Sequence, residues 1–370
     1  MTVASLLQAL AGDPVYSRQI ATIREFPQKN AEYGDSPISP SLAAYLSHKG
    51  IHLYSHQAAA VDAAGRGEHV ILTTSTASGK TLAFLLPVFE KLEQDPAATA
   101  LIIYPTKALA NDQLKAVVEL ERETGIGVSP AIYDGDTPSD RRPGIRKSSR
   151  IILTNPHELH HILPWHYQWS SFLKGLSFVV IDETHRYRGV QGSHMAFLLR
   201  RFRRLCQHYG SDPCYFLSSA TLANPTEFAG RLCGVPFTLV AGDGSPRGSR
   251  QFVLLNPHAE GNGQSSVHNE AASLIGECIG HNLQSLVFTG SRKMAELVAL
   301  WAREGMVRKK RGRPDLLCSY RAGYLPEERR AIEDRLKSGN LSCVVSTNAL
   351  ELGIDIGSLD AVIMAGYPGT

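Results

Sequence analysis

The sequence predicts an α/β protein built from two tandem parallel-sheet domains, and three observations carry that prediction. Short, nearly all-apolar runs have the composition of strands buried on both faces: HVILTT, ALIIYP, RIILTN, LSFVVIDE and CYFLSS. Helical stretches separate them; between the second and third, Ala110, Leu114, Val117 and Val118 recur at i, i+4, i+7 and i+8, one face of a helix. The alternation pauses where GDGSPRG and the stretch from Glu260 to Ser266 turn to Gly, Ser and Asn. It then resumes with QSLVFTG, DLLCSY, LSCVVST and DAVIMAG. Strand, helix, strand repeated in this way makes a parallel sheet with helices on both faces.

The boundaries follow from composition. Residues 1–50, interrupted by Pro14, Pro27, Pro37 and Pro40, read as an N-terminal extension of short helices and extended chain. Residues 51–241 form the first domain, 242–265 a linker, and 266–370 the second domain. The second reads as incomplete, because Thr370 follows a strand and a turn with no closing helix.

Composition excludes several function classes. At roughly 150 residues per domain, 370 residues suffice for two to three domains with a sizeable core. Hydrophobic residues at 43% and charged residues at 20% are ordinary for a globular chain. The balance of 38 Lys and Arg against 35 Asp and Glu gives +3, so any surface that grips nucleic acid must be locally basic. The longest apolar stretch, near Leu82 to Phe89, is broken by Pro87 and falls short of the ~20 residues of a membrane span. The start, MTVASLLQALAGDP, lacks the basic n-region of a signal peptide. A cytoplasmic protein is therefore expected, with no membrane partner. Cys206, Cys214, Cys233, Cys278, Cys318 and Cys343 contain no C-x-x-C pair, which argues against a disulfide framework or a zinc site in this chain. His157, His160, His161 and His166 crowd one segment without an acidic or cysteine partner at ligand spacing, and read as surface or core histidines.

The chemistry is concentrated in two motifs. Between an apolar strand and a helical run lies TTSTASGKT (73–81), the place where a phosphate loop turns backbone N–H groups and a helix N-terminus toward an anion. Thr76, Ala77, Ser78 and Gly79 would cradle the phosphates of ATP, Lys80 would reach the β- and γ-phosphates, and Thr81 would offer its hydroxyl to Mg²⁺. The first glycine of the strict G-x-x-x-x-G-K-[ST] pattern is replaced by Thr74, so a Ser/Thr-rich turn is the plainer alternative. One hundred residues on, FVVIDETH closes a second apolar strand. Asp182 at the strand end can hold Mg²⁺, and Glu183 can orient or deprotonate the attacking water, with His185 completing the box. A solvated strand edge is the alternative for the acidic pair, but it does not explain both motifs together.

In order along the chain, TASGKT, YPTKALANDQ, TNPHEL, DETH, SSAT, VFTGSR and STNALELGIDIG resemble the motifs of superfamily 2 helicases of the DExH type. LYSHQ, YDGDTP and YRAGYLPEERR are most similar to the mitomycin repair factor A family of DNA-repair helicases. The resemblance runs from about Leu53 to the end and implies two RecA-like domains. It implies that Gln57 reads adenine through one donor and one acceptor, with Tyr54 against the base; a helix-capping glutamine and a core tyrosine are the alternatives. Ser219, Ala220 and Thr221 resemble the motif coupling hydrolysis to strand movement, and Asp355 resembles a residue that faces the nucleotide. Pro105, Thr106, Lys107, Gly135, Asp136, Thr154 and Asn155 resemble a nucleic-acid track that meets phosphates without reading sequence. Thr289, Ser291, Arg292, Arg321, Gly323, Ser346, Thr347 and Asn348 would continue it in the second domain. Each of these residues also suits an ordinary strand-to-helix turn. The basic run REGMVRKKRGRP (303–314) reads equally as a phosphate grip or a solvated loop.

The family's Q-x-x-G-R-x-G-R stretch, whose arginines touch the γ-phosphate, and its Cys-rich C-terminal domain do not occur before Thr370. The expectation is a DNA-dependent ATPase, a 3′→5′ helicase or translocase on single-stranded or tailed duplex DNA, with a role in repair. Two readings stay open beside it: an RNA helicase, and a nucleotide-gated nucleic-acid clamp that hydrolyses weakly. A P-loop kinase fits TASGKT but leaves DETH, SSAT and the second domain unexplained.

Overall fold

The computed structural model describes residues 2–220, 222–259, 266–310, 312–347, 350 and 359–367. They form two compact units, residues 28–248 and residues 1–27 with 249–370.

The larger unit is a seven-stranded parallel sheet. Its strands are β2 (Val70–Thr73), β3 (Thr99–Ile103), β4 (Ala131–Ile132), β5 (Ile151–Thr154), β6 (Leu176–Ile181), β7 (Cys214–Ser219) and β8 (Thr238–Ala241), counting β1 (Ile20–Phe26) in the smaller unit as first. Their order is β4-β5-β3-β6-β7-β2-β8, and every neighbouring pair is parallel. Alternate residues of one strand enter opposite cores. Val70, Leu72, Ala100, Ile102, Phe178, Val180 and Phe216 face one cluster. Ile71, Leu101, Ile103, Val179, Ile181 and Leu217 face the other. Burial on both faces is why these runs show no polar alternation, and each buried aliphatic contributes roughly 1.5–3 kcal/mol. The five strands read from the sequence are present. Two more, β4 and β8, flank them; β4 has only two residues, too short for a pattern to show.

The helix Lys107–Thr124 covers this sheet with a slightly different face from the one its spacing suggested. Leu109, Ala110, Val117 and Leu120 are buried, while Val118 is 44% exposed.

The smaller unit holds a four-stranded parallel sheet of β10 (Ser285–Phe288), β11 (Leu317–Tyr320), β12 (Cys343–Ser346) and β13 (Ala361–Met364), in the order β11-β12-β10-β13. All four strands match the runs read from the sequence. The helices Val267–Gly280 and Arg292–Lys309 cover one face. Leu336, on the helix Pro326–Lys337, joins the cluster on the other with Leu286 and Val344.

The first 50 residues are not a unit of their own. Leu6 and Leu10 of the helix Val3–Gly12 pack with Leu274 and Cys278 in the smaller unit, whereas Leu42 and Leu46 of the helix Pro40–Lys49 join the core of the larger one. The described part of the segment read as a linker holds a strand. Its β9 (Arg250–Leu255) pairs antiparallel with β1, with Arg24 opposite Phe252 and Phe26 opposite Arg250. Pairing across more than 200 residues leaves no local signature.

Candidate nucleotide site and nucleic-acid track

Parallel strands bring their C-terminal ends to one edge, where such sheets bind ligands. Here β6, β7 and β2 are adjacent, so the turns after them meet. The Thr74 N–H donates to the Ser219 carbonyl at 3.3 Å. The Thr184 hydroxyl donates to the Ser218 carbonyl at 3.0 Å, and the Ser218 hydroxyl donates to Asp182. Topology alone thus assembles the phosphate loop, the acidic pair and Ser219 from segments up to 145 residues apart.

The phosphate loop leaves β2 at Thr73 and enters the helix Lys80–Gln94 through Gly79, which caps it at φ +80°. A Cβ there would collide with Gln57, so only glycine fits. Ala77 takes φ +59°, a conformation non-glycine residues adopt only when their surroundings hold them there. The hydroxyls of Thr74 and Ser78 bond each other at 2.6 Å, both buried; Thr74 thereby replaces the missing first glycine with a side-chain brace. Lys80 is 9% exposed and donates to the carbonyls of Ser75 at 2.8 Å and Thr74 at 3.4 Å. Thr76 and Ala77 are exposed at the tip. The Thr81 hydroxyl donates to Gln113 Oε1 at 2.9 Å.

Asp182 is 6% exposed. Its Oδ1 accepts the Glu183 N–H at 2.9 Å as well as the Ser218 hydroxyl. Burial, and then the neighbouring Glu183 carboxylate, push Asp182 up to about 6. Glu183 sits at φ +51° and pairs with His185 Nδ1 at 3.2 Å, beside the Ser219 hydroxyl at 3.4 Å. A buried carboxylate raised by a second one is a donor set that a divalent cation would satisfy. Mg²⁺ typically uses only one or two carboxylates, filling its shell with water and phosphate oxygens. Among the described residues no group of three or more His, Cys, Asp or Glu is placed to hold a metal.

Gln57 is buried, with Nε2 donating to the Gly79 carbonyl at 2.9 Å and Oε1 accepting the Tyr54 N–H at 2.8 Å. It therefore caps its own helix and braces the loop. A primary amide has two donors and two lone-pair sites, so one of each remains for a base. Tyr54 stacks between Tyr33 and His56, at 5.7 and 5.9 Å.

The turns expected to line a nucleic-acid track divide by exposure. The Thr154 hydroxyl is buried and donates to the Tyr133 carbonyl at 2.7 Å; Asn155 accepts the Glu158 N–H at 3.0 Å and so caps the next helix. Thr106 caps through the Leu109 N–H at 3.3 Å, beside Pro105. Lys107 is exposed and pairs with Asp136 at 2.7 Å, close to Gly135. In the smaller unit the Thr289 hydroxyl donates to the carbonyls of Ser291 and Ser346, each at 3.3 Å. Ser291 caps through the Met294 N–H at 3.2 Å, leaving Arg292 exposed on the first turn. Arg321 pairs with Glu296 at 2.9 Å and lies over the Tyr324 ring. The basic run divides too: Arg303 donates to the Leu317 carbonyl at 2.7 Å and Arg313 pairs with Asp315 at 2.6 Å, while Lys309 and Lys310 are exposed. Ala220 and Thr347 are partly buried. Thr221, Asn348 and Asp355 lie outside the described residues.

Three residues at these turns escaped the sequence reading. Arg142 ties the Gly135 turn to the TNPHEL turn, donating to Glu158 at 3.0 Å and to the Asp134 carbonyl at 2.7 Å. His56 and Asp243 grip the phosphate loop from behind. No motif marks Arg142 or Asp243, and His56 stands in LYSHQ without a role assigned to it.

Residues 54–228 match the family model of DEAD/DEAH box helicases, and residues 270–370 match that of the helicase conserved C-terminal domain. The chain belongs to the superfamily 2 helicases. This helicase chain is 42% identical to the uncharacterized ATP-dependent helicase YprA of Bacillus subtilis over 98% of its own length and 49% of the relative's. It is 39% identical to the ATP-dependent helicase HRQ1 of Saccharomyces cerevisiae, over 99% of its own length and 35% of the relative's. The chain thus spans half or less of the length of these two relatives. The crystal structure of the DUF1998 helicase MrfA bound to DNA and AMPPNP superposes with a TM-score of 0.92 at 41% identity, covering all of this chain and 52% of that one. The tandem sheets are RecA-like helicase domains. Among the described residues no helix is long and apolar enough to cross a membrane.

Proposed function

We propose that this chain is the motor core of an ATP-dependent DNA helicase or translocase that moves 3′→5′ and serves DNA repair in the bacterial cytosol or nucleoid. The observation that carries the reading is the meeting of Lys80, Asp182, Glu183 and Ser219 at the ends of three adjacent strands. The choice of DNA is supported by MrfA, whose structure at 41% identity is bound to DNA.

In this reading the loop amides and Lys80 would neutralise the ATP phosphates, and the Thr81 hydroxyl and Asp182 would hold Mg²⁺. When bound, the cation offsets charge on the phosphate oxygens. Lys80 already rests against the Ser75 carbonyl and needs only a side-chain turn to meet a phosphate. Glu183, held in a left-handed backbone and against His185, orients the attacking water or takes its proton. Gln57 uses its remaining donor and acceptor on adenine. Ser219 touches both His185 and the Thr74 N–H, so it relays the state of the hydrolysis site to the turns that face the strand. Lys107 in the larger unit and Arg292 in the smaller, each with its neighbouring backbone N–H groups, contact nucleic-acid phosphates and read no sequence.

Unwinding of matched duplexes with 3′ or 5′ tails, in DNA and in RNA, tests the proposal. ATP-dependent separation of 3′-tailed DNA is expected. Preference for RNA would move the chain to the alternative class, and preference for 5′ tails would reverse the polarity.

A further inference from the structure

The turn after β8, read in the sequence as linker, places a carboxylate directly against the phosphate loop. We propose that Asp243 is a positioning residue for that loop, holding Ser75 so that the loop amides and Lys80 are set for a nucleoside triphosphate. The proposal rests on the reading of this loop as an ATP site.

Both oxygens of Asp243 are engaged. Oδ2 accepts the Ser75 N–H at 3.1 Å and the Ser75 hydroxyl, while Oδ1 accepts the Ser245 N–H at 3.0 Å and the Ser245 hydroxyl. Arg247 adds a charged contact at 3.2 Å, and Lys29 Nζ donates to the Asp243 carbonyl. The side chain is 15% exposed. Burial pushes its pKa up, but hydrogen bonds from Ser245 and Ser75 outweigh this and hold it well below the usual carboxylate range. The next residue locks the turn in place. A Cβ on Gly244 would collide with Ser55 and with the Glu32 carbonyl. The Gly244 N–H donates to His56 Nδ1 at 3.1 Å, and the other ring nitrogen lies 3.0 Å from the Ser78 carbonyl. The turn therefore grips the loop at two places, Ser75 and Ser78.

Ser75 sits between two charges. Its carbonyl takes Lys80, and its N–H and hydroxyl go to Asp243. A loop without the usual first glycine has Thr74 and Ser75 at its opening, and these side chains must be fixed before the amides can converge on an anion. Asparagine cannot substitute for the aspartate. Its NH₂ group would face either the two Ser75 donors or the two Ser245 donors, so one pair loses its acceptor.

The test uses the 370-residue chain with a fluorescent ATP analogue and Mg²⁺, together with amide hydrogen exchange over residues 74–79. Asp243→Asn is expected to weaken analogue binding about tenfold, the scale of losing a charge-assisted hydrogen bond, and to speed exchange in the loop. Ser75→Ala should weaken binding less, and the double variant no more than Asp243→Asn alone. Wild-type affinity and loop exchange in Asp243→Asn, with or without a lower melting temperature, would reduce the residue to scaffold and overturn the proposal. Additive losses in the double variant would overturn it as well. If Asp243→Asn does not fold, Ser75→Ala alone decides, and unchanged binding and exchange there defeat the proposal. Failure of the wild-type chain to bind the analogue would instead refute the ATP-site reading on which the proposal stands.

Discussion

Gln57 Nε2 donates to the carbonyl of Gly79 at 2.9 Å, so the helix that opens the larger unit's motif series is bonded to the residue immediately before Lys80. The same amide accepts the Tyr54 N–H at 2.8 Å. In the proposed reading, adenine recognition and loop geometry share one side chain.

Gln57→Glu tests that sharing. A carboxylate still accepts from Tyr54 but turns an oxygen toward the Gly79 carbonyl, leaving two part-buried acceptors opposed at a cost of about 1–3 kcal/mol. Affinity for ATP should fall roughly 5- to 150-fold, measured by equilibrium titration with an ATP analogue. Unchanged affinity would show that the loop does not depend on the bond.

Lys80→Ala and Glu183→Gln should separate binding from turnover. In the proposed reading Lys80 neutralises phosphate charge in the ground state, so its loss should weaken nucleotide binding. Glu183 is there proposed to act on the water, so its amide should leave affinity near wild type and abolish hydrolysis. Isothermal titration beside a phosphate-release assay reads both. Equal affinities for wild type and Lys80→Ala would remove the lysine from the site.

His56 gives the larger unit a pH dependence. Its Nδ1 accepts from Gly244, so the neutral ring carries its proton on Nε2, facing Ser78. Burial holds the ring below the usual histidine range; His69 is lowered the same way. The folded state thus disfavours the charged form, and the unfolded chain binds more protons. The resulting stability is fully present above about pH 6.5 and is lost as pH falls through the lower folded value. Urea unfolding from about pH 7.5 to 5 should show the decline. His56→Asn, whose oxygen can still accept from Gly244, should show a shallower one, and identical slopes would contradict the assignment.

How much of this was legible in the sequence depended on whether the cause was local. Val179 and Ile181 announced a buried strand because both faces of the sheet are covered, and the GKT and DETH clusters stood at strand ends as such sheets require. Asp243 was hidden because Gly242, Gly244 and Ser245 have the composition of a linker, yet Gly244 is there for close packing against Ser55. The β1–β9 pairing and the bond from Arg142 to Glu158 are made by folding across distance, and no periodicity carries them. Asn155 and Thr154 look like contact residues by motif, but their side chains are committed to the turn itself. In the proposed reading, phosphate contacts at those turns fall to backbone N–H groups and to Lys107.

Binding to single-stranded DNA should be indifferent to sequence and weaken steeply with salt, because neutralising phosphates releases counterions. Anisotropy titrations on oligonucleotides of different sequence at several salt concentrations measure this. Replacing Lys309 and Lys310 with Gln tests the exposed part of the basic run. If the run meets phosphates, the slope of log K against log salt drops by about 0.7 for each phosphate no longer neutralised; an unchanged slope returns it to a solvated helix end.

In the proposed motor the phosphate loop and the strand-facing turns form one device, so that nucleotide governs the grip on DNA. The affinity of the 370-residue chain for a labelled single strand, with and without a non-hydrolysable ATP analogue and Mg²⁺, tests it most directly. A change of about 5-fold or more is expected, the usual scale of coupling between two sites, and it should disappear in Lys80→Ala. DNA affinity that is the same with and without the analogue, or a nucleotide effect that survives in Lys80→Ala, would contradict it.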